Sequence, residues 1–211
     1  VSFLVVALYF TIYLVKMLEE GLFQTVYDAQ TFDIPAIQSI ASHANHVEMS
    51  ASMYASPVVN DLDVVFLSAT EVDVDFNVNV ITDSNNICMG ASGGHSDAAA
   101  GADVTVIMCP VIRGRLPMIR DQVQTVVTPG DSIDIIVTDR GIAVNPKRQD
   151  LLKLLQHSHL PIKTIEELQA LAYTLVGKPE ETPVLTDDND IVAVVEYRDG
   201  SVIDTIRKPL A

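Results

Sequence analysis

Hydrophobic and polar positions in this chain follow two different periods, which alternate along its length. Residues 62–69 (LDVVFLSA) form an almost unbroken apolar run, the pattern of a strand buried on both faces of a sheet. From 72 to 80 the alternation is strict, with Val72, Val74, Phe76, Val78 and Val80 set against Asp73, Asp75, Asn77 and Asn79. One strand would gather those polar residues on a single face. Asp and Asn are poor strand formers, so a turn within the segment is the rival reading. Short β-branched runs at 24–27, 104–109, 122–127, 133–137 and 142–144, bounded by Pro, Gly or Asp, predict further strands. Helical spacing appears at 13–21, and at 34–42, where Asp33 precedes the first turn and Pro35 lies within it. It returns at 148–157, with Leu151, Leu152, Leu154 and Leu155 as the apolar face, and at 164–175, which opens on a Thr-x-x-Glu capping box at Thr164 and Glu167. Residues 191–197 and 201–206 flank Arg198-Asp199-Gly200, a hairpin signal.

The alternation predicts an α/β class: an open sheet with flanking helices and a small C-terminal β-hairpin. Residues 1–177 are expected to form the main domain. An acidic, Pro-containing linker is expected at 178–190, and the hairpin at 191–211. The apolar stretch from Val1 to Val15 ends at Lys16, short of the ~20 residues a membrane-spanning helix requires. It has neither a basic leader nor a small-residue cleavage site, so it reads as a buried strand leading into a helix. The chain starts with Val rather than Met, which suggests a segment of a longer protein.

Charge changes the picture in one place. The 211 residues carry 28 acidic and 13 basic side chains, a formal net charge of −15, while 48% are hydrophobic. That hydrophobic content sets the chain apart from an acidic disordered polymer. The acidity argues against nucleic acid or an anionic membrane as partner. Between 113 and 153, however, Arg113, Arg115, Arg120, Arg140, Lys147, Arg148 and Lys153 outnumber five Asp, so this window is +2 and the remainder −17. A locally basic window in so acidic a chain points to an anionic ligand, against the plainer reading of solubility charges. Arg113-Gly-Arg115 lies in a loop between prolines, and Arg grips carboxylate or phosphate in a bidentate fashion.

The richest chemistry lies in Gly90-Ala-Ser92-Gly93-Gly94-His95, a glycine turn that runs into an alanine-rich helix. Glycines let the backbone approach a ligand closely, and free N–H groups at the helix start suit a carboxylate, a phosphate or a developing oxyanion. The plainer alternative is a tight strand-to-helix turn. Two weaker groupings are His43-x-x-His46-x-Glu48, which lacks an evident further metal ligand, and His157-x-His159 at a helix end. No metal site is expected. Cys88 and Cys109 have no metal spacing and read as structural thiols in a reducing cytoplasm.

Five phrases then point to a family: LDVVFLSATEVDVDFNVNV (62–80), GASGGHSDAAAGADVTVIMCP (90–110), VIRGRLPMI (111–119), TPGDSIDIIVTDRGIAVNP (128–146) and VEYRDGSVIDTIRKP (195–209). Together they resemble the citrate lyase alpha subunit, the citrate CoA-transferase component of a citrate-cleaving complex. The match extends from about Leu14 to the C-terminus, and Val1–Phe10 lies outside it. The resemblance implies the second of two CoA-transferase-like halves. It also implies exchange of acetyl for citryl on the phosphopantetheine-type thioester of an acyl carrier or CoA, with acetate released. Implied partners are the lyase beta and acyl-carrier gamma subunits, in a cytoplasmic oligomeric assembly without a metal. The family's Gly-Gly-x-x-Asp turn maps to Gly93, Gly94 and Asp97, with Gly93 and Gly94 as oxyanion donors and Asp97 pinning the loop. Gly90, Ser92, His95, Asn77, Asn79, Arg113 and Arg115 become expected substrate or CoA contacts. The Glu-Asn-Gly motif that many relatives use for covalent transfer is absent. Glu19-Glu20-Gly21 is a loose echo of it, and Glu71 is the alternative acid. Two other functions compete: a docking module whose catalysis comes from the other half, and a sugar-phosphate isomerase on a related fold.

Overall fold

The computed structural model describes residues 3–7, 11–28, 31, 33–48, 57–180 and 187–209. They fall into two compact units, Val1–Leu62 and Asp63–Ala211. Residues 1, 2 and 8–10 of the N-terminal segment, and 181–186 of the expected linker, lie outside the described residues.

The first unit contains β1 (Phe3–Ala7), α1 (Ile12–Glu19), β2 (Phe23–Asp28), α2 (Ile34–Ser42) and β3 (His46–Glu48). Its three strands are parallel in the order β1-β2-β3. Val15 and Leu18 of α1, one turn apart, pack with Val26 and Ala36 into a small core. A single carboxylate organises both helix starts: Asp33 accepts the amides of Ala36 and Ile12, each at 2.8 Å. Those are the orphan donors of two helix N-termini satisfied by one side chain.

The second unit is built on a five-stranded sheet. Its strands are β4 (Val64–Ser68), β7 (Val104–Met108), β11 (Ile135–Thr138), β12 (Gly141–Val144) and β13 (Ile162–Lys163), in the order β13-β12-β11-β7-β4. The β4, β7 and β11 strands run parallel, and β12 is antiparallel to β11. Before β7 come β5 (Glu71–Asp73), β6 (Val78–Asn79) and α3 (His95–Gly101). After β7 come the two-residue strands β8 (Ile112–Arg113), β9 (Leu116–Pro117) and β10 (Ile119–Arg120). Two helices follow the sheet strands, α4 (Gln149–Leu155) and α5 (Ile165–Val176). The chain closes with the antiparallel hairpin of β14 (Ile191–Glu196) and β15 (Val202–Arg207). The expected open sheet, helices and C-terminal hairpin are all present. The Thr164 capping box forms in full: its hydroxyl accepts the Glu167 amide while Glu167 accepts the amide of Thr164.

One open alternative is decided, and three readings need adjustment. Residues 72–80 are not one strand, because the chain turns between β5 and β6. Asp73 accepts the amides of Asp75 and Asn77, and Phe76 adopts a φ of 67° with its ring buried. Residues 122–127 do not form a strand either. The amides of Val123, Gln124 and Val126 go singly to the side chains of Asp73, Glu71 and Asp204, and that of Val127 to the Val78 carbonyl, so no ladder develops. The 62–69 run is covered on one face only, since Val64 and Phe66 are 44% and 61% exposed. On α4 no residue is fully buried: Leu154 is 74% exposed, and Leu151, Leu152 and Leu155 are half-buried.

Candidate functional site

The glycine turn is built as its composition requires. Gly93 has a φ of +51°, a left-handed conformation that costs a Cβ-bearing residue, and Gly94 leads directly into α3. The Gly94 carbonyl accepts the first helical bond from Ala98, and the Ser92 carbonyl accepts the amide of His95. The amides of Gly93 and Gly94 donate to nothing among the described residues, and Gly93 is exposed. Gly90 passes close to β6, so that a Cβ there would lie 3.2 Å from the Val80 carbonyl oxygen. The result is a turn carrying only the small side chains of Ala91 and Ser92, with two adjacent amides that have no acceptor among the described residues.

Around it, several expected contact residues serve instead to hold the turn. His95 is buried, with Nε2 at 2.9 Å from the Ser68 carbonyl and Nδ1 at 2.7 Å from the Thr128 hydroxyl. A carbonyl can only accept, so Nε2 carries the proton and Nδ1 accepts from Thr128. Burial lowers the imidazole pKa, keeping the ring neutral, and no ring nitrogen is left for a substrate. The Asn79 side chain is also fully committed, donating to Glu71 and Thr82 and accepting the amides of Ile81 and Thr82. Asn77 donates to Asp73 and accepts the amide of Gly130. Glu71 is buried and accepts from Asn79 (3.0 Å), the Gln124 amide (3.0 Å) and the Ser84 hydroxyl (3.1 Å). Asp73, buried beside it, has its carboxyl pKa raised by that burial despite four hydrogen bonds.

Asp97 carries the feature that its sequence context did not reveal. It is buried on α3, three residues beyond Gly94, and its Oδ1 lies 2.9 Å from Nε of Arg198 in the hairpin turn. Burial raises its pKa more than Arg198 lowers it. Two further bonds fasten the same hairpin to the segment after β10: Asp204 accepts the Val126 amide at 2.6 Å, and the Tyr197 and Ser132 hydroxyls meet at 3.3 Å. The Arg-Asp-Gly triplet reads in sequence only as a turn, and nothing local marks its arginine as reaching α3.

The basic window is largely neutralised by its own acids. Arg148 pairs with Asp134 and Asp150, Lys147 with Asp131, and Arg140 with Asp139. Arg113 donates to the carbonyl of Ala69 at the end of β4. Arg115 is exposed and makes no ion pair among the described residues. His43 bonds Ser39 and Ser42 at the end of α2, and buried His46 bonds Ser39. Among the described residues no cluster of three or more His, Cys, Asp or Glu could hold a metal. Nor is any helix among them long and apolar enough to cross a membrane.

Comparison with known proteins gives this geometry a lineage. Residues 6–209 match the family model "Citrate lyase, alpha subunit (CitF)". The chain belongs to the citrate lyase alpha subunit family. It is 54% identical over 200 residues to the citrate lyase alpha chain of Klebsiella pneumoniae and 49% over 198 residues to that of Haemophilus influenzae. Both alignments take in 92% of this chain, yet the chain spans only 39% of the length of either relative. Among solved structures, the citrate lyase alfa subunit of Streptococcus mutans, in complex with citrate, superposes with a TM-score of 0.89 at 45% identity, over 99% of this chain and 41% of that one. RipA from Yersinia pestis shares the fold alone, with a TM-score of 0.54 at 12% identity, over 82% of this chain and 48% of that one. The five phrases that suggested the family all lie within the matched span.

Proposed function

We propose that this chain supplies the oxyanion-stabilising part of a citrate CoA-transferase. The reaction is exchange of acetyl for citryl on an acyl-carrier or CoA thioester, with release of acetate. The observation that carries this reading is the pair of amides at Gly93 and Gly94, uncommitted among the described residues, on a turn that carries only the small side chains of Ala91 and Ser92. Attack on a thioester carbonyl places negative charge on its oxygen, and fixed backbone donors stabilise that charge without reorganising. The phosphopantetheine thioester is the substrate here, and the bare surface at Gly90, Ser92 and Gly93 suits a slender arm.

His95, Asn77 and Asn79 then act by holding the turn, while Arg113 and Arg115 are the side chains left to meet substrate carboxylates or phosphates. Glu71 is the candidate acid, although its three hydrogen bonds must loosen before its carboxylate could attack a thioester. Citrate, acetate, and the lyase beta and acyl-carrier gamma subunits follow as substrates and partners, within a cytoplasmic oligomer. The docking-module reading draws support from the exposed apolar face formed by Val64 and Phe66 on β4 and Met108 on β7, 44%, 61% and 49% exposed.

The test is Gly94→Val in the full-length protein, measured as acetyl exchange onto citrate. Valine keeps the backbone N–H but sets its side chain where the thioester would approach, and denying that donor to the oxyanion is worth roughly 10²–10³ in rate, so a fall of that order is expected with a normal melting curve. A folded variant that exchanges at the wild-type rate would remove Gly94 from the mechanism and leave the docking reading.

A further inference from the structure

Backbone amides can stabilise a transient charge only if something keeps them still, and oxyanion donors must stay within about 0.5 Å of the productive geometry. Gly93 and Gly94 have no side chains with which to anchor themselves. The next residue, His95, is therefore the nearest one able to hold them. Its buried ring is fastened at both nitrogens, Nε2 to the Ser68 carbonyl at the end of β4 and Nδ1 to the Thr128 hydroxyl. A ring held at one nitrogen can pivot about that bond. Held at both, it cannot.

Of the two partners, Thr128 is the one whose contribution comes from a side chain, and its surroundings make it a firm anchor. It is wholly buried. Its backbone exchanges hydrogen bonds with Val78 of β6 in both directions, at 2.9 and 3.1 Å. Pro129 follows with its φ fixed at −63° by the ring. Gly130 then donates its amide to Asn77 and accepts from the side chain of Asn145, each at 3.0 Å. A Cβ on Gly130 would collide with the Asp75 carbonyl oxygen, so this segment has no room to shift toward that strand.

A hydrogen bond between two buried neutral groups adds little net stability, because both gave up water to make it. What it adds is geometry: the Thr128 proton points at Nδ1, which leaves the ring proton on Nε2 for the Ser68 carbonyl. Asp97, two residues beyond His95, is held separately by Arg198.

We propose that Thr128 is a positioning residue for thioester exchange: its hydroxyl locks the His95 ring, and the locked ring holds the Gly93 and Gly94 amides where the oxyanion forms. Its role presupposes the transferase reading, to which it adds a buried side chain that touches no substrate.

The experiment measures acetyl exchange onto citrate by the full-length protein carrying Thr128→Val or Thr128→Ser, with Gly94→Val as reference. Valine keeps the shape and removes the donor, whereas serine keeps the donor. A misplacement of about 1 Å in a catalytic group can cost about 10²-fold, so Thr128→Val should lower kcat by about tenfold or more. Its KM for citrate should stay within about twofold of wild type, and Thr128→Ser should recover most of the rate. A wild-type kcat in Thr128→Val, an equally slow Thr128→Ser, or a raised KM at unchanged kcat would each overturn the role of the hydroxyl. If Gly94→Val is slow and Thr128→Val is not, the transferase reading stands and Thr128 drops out of it. If Gly94→Val exchanges at the wild-type rate, the transferase reading falls and the role of Thr128 falls with it. Should Thr128→Val fail to fold, nitrogen NMR of the wild-type protein with isotope-labelled histidine decides the matter. A neutral His95 ring protonated at Nε2 is expected, and a proton on Nδ1 would reverse the Thr128 bond and overturn the proposal.

Discussion

Replacing Arg198 with Met tests whether the C-terminal hairpin governs the glycine turn. The substitution keeps most of the side-chain bulk and removes the charge 2.9 Å from the Asp97 carboxylate, whose side chain is 3% exposed. Leaving a buried ion without its partner costs about 3–5 kcal/mol when both groups are enclosed. The Arg198 side chain is 27% exposed, so water recovers part of that loss, and about 2 kcal/mol is expected at pH 7. With a urea m-value of about 2 kcal/mol/M, that lowers the unfolding midpoint by roughly 1 M. The pH dependence is the sharper reading. The Asp97 pKa already stands above its ordinary 3.8 because burial outweighs the attraction of Arg198, and losing Arg198 raises it further. Below the ordinary carboxylate range Asp97 is neutral in either protein, folded or unfolded, and the two differ little. As pH rises, the unfolded carboxyl ionises first and the buried one resists, so each native state loses stability, and the variant goes on losing it to a higher pH. The gap between wild type and Arg198→Met should therefore widen from pH 4 to pH 7. A gap that stays constant over that range, or a variant as stable as wild type at pH 7, would refute the reasoning.

Two other outcomes are expected. Gly130→Ala should destabilise by more than about 4 kcal/mol in urea, because a Cβ would run into the Asp75 carbonyl oxygen with backbone on both sides of the contact; a loss under about 1 kcal/mol would show that the turn can yield. Thiol titration with a disulfide reagent should find one fast group, exposed Cys88, while Cys109, buried with its pKa pushed up to about 12, reacts only after denaturation; two fast thiols in native protein would contradict that burial.

The parts of the fold that could be read in advance are those set by neighbours in the chain. Asp33 with Pro35 gives α2 its start, Thr164 with Glu167 starts α5, and Arg198-Asp199-Gly200 turns the hairpin, all through contacts spanning a few residues. What could not be read depends on partners far away. The β-branched stretch at 122–127 has strand composition, but its amides are claimed by Asp73, Glu71 and Asp204, none of which a local window contains. The Val72–Val80 alternation suits a strand and a turn equally, and the Asp73 carboxylate decides for the turn by capturing two nearby amides. The positive window says less than its count, because sequence counts charges without pairing them, and Arg140, Lys147 and Arg148 pair with nearby acids. In the glycine turn, Gly93 was legible because its φ of +51° lies where glycine is favoured. The pairing of Asp97 with Arg198 was not, because nothing local shows that an arginine in the hairpin turn reaches α3.

The hairpin also bears on how the protein is made. Its two strands are contiguous and can pair as soon as they exist, but their anchors lie far upstream: Val126 is 78 residues from Asp204, and Ser132 is 65 from Tyr197. A ribosome releases Asp97 and the glycine turn long before Arg198, so a nascent chain carries the buried carboxylate without its countercharge. Until the last stretch emerges, the turn stands without its brace, and a message broken shortly before Arg198 would yield a sheet whose glycine turn is never locked in place.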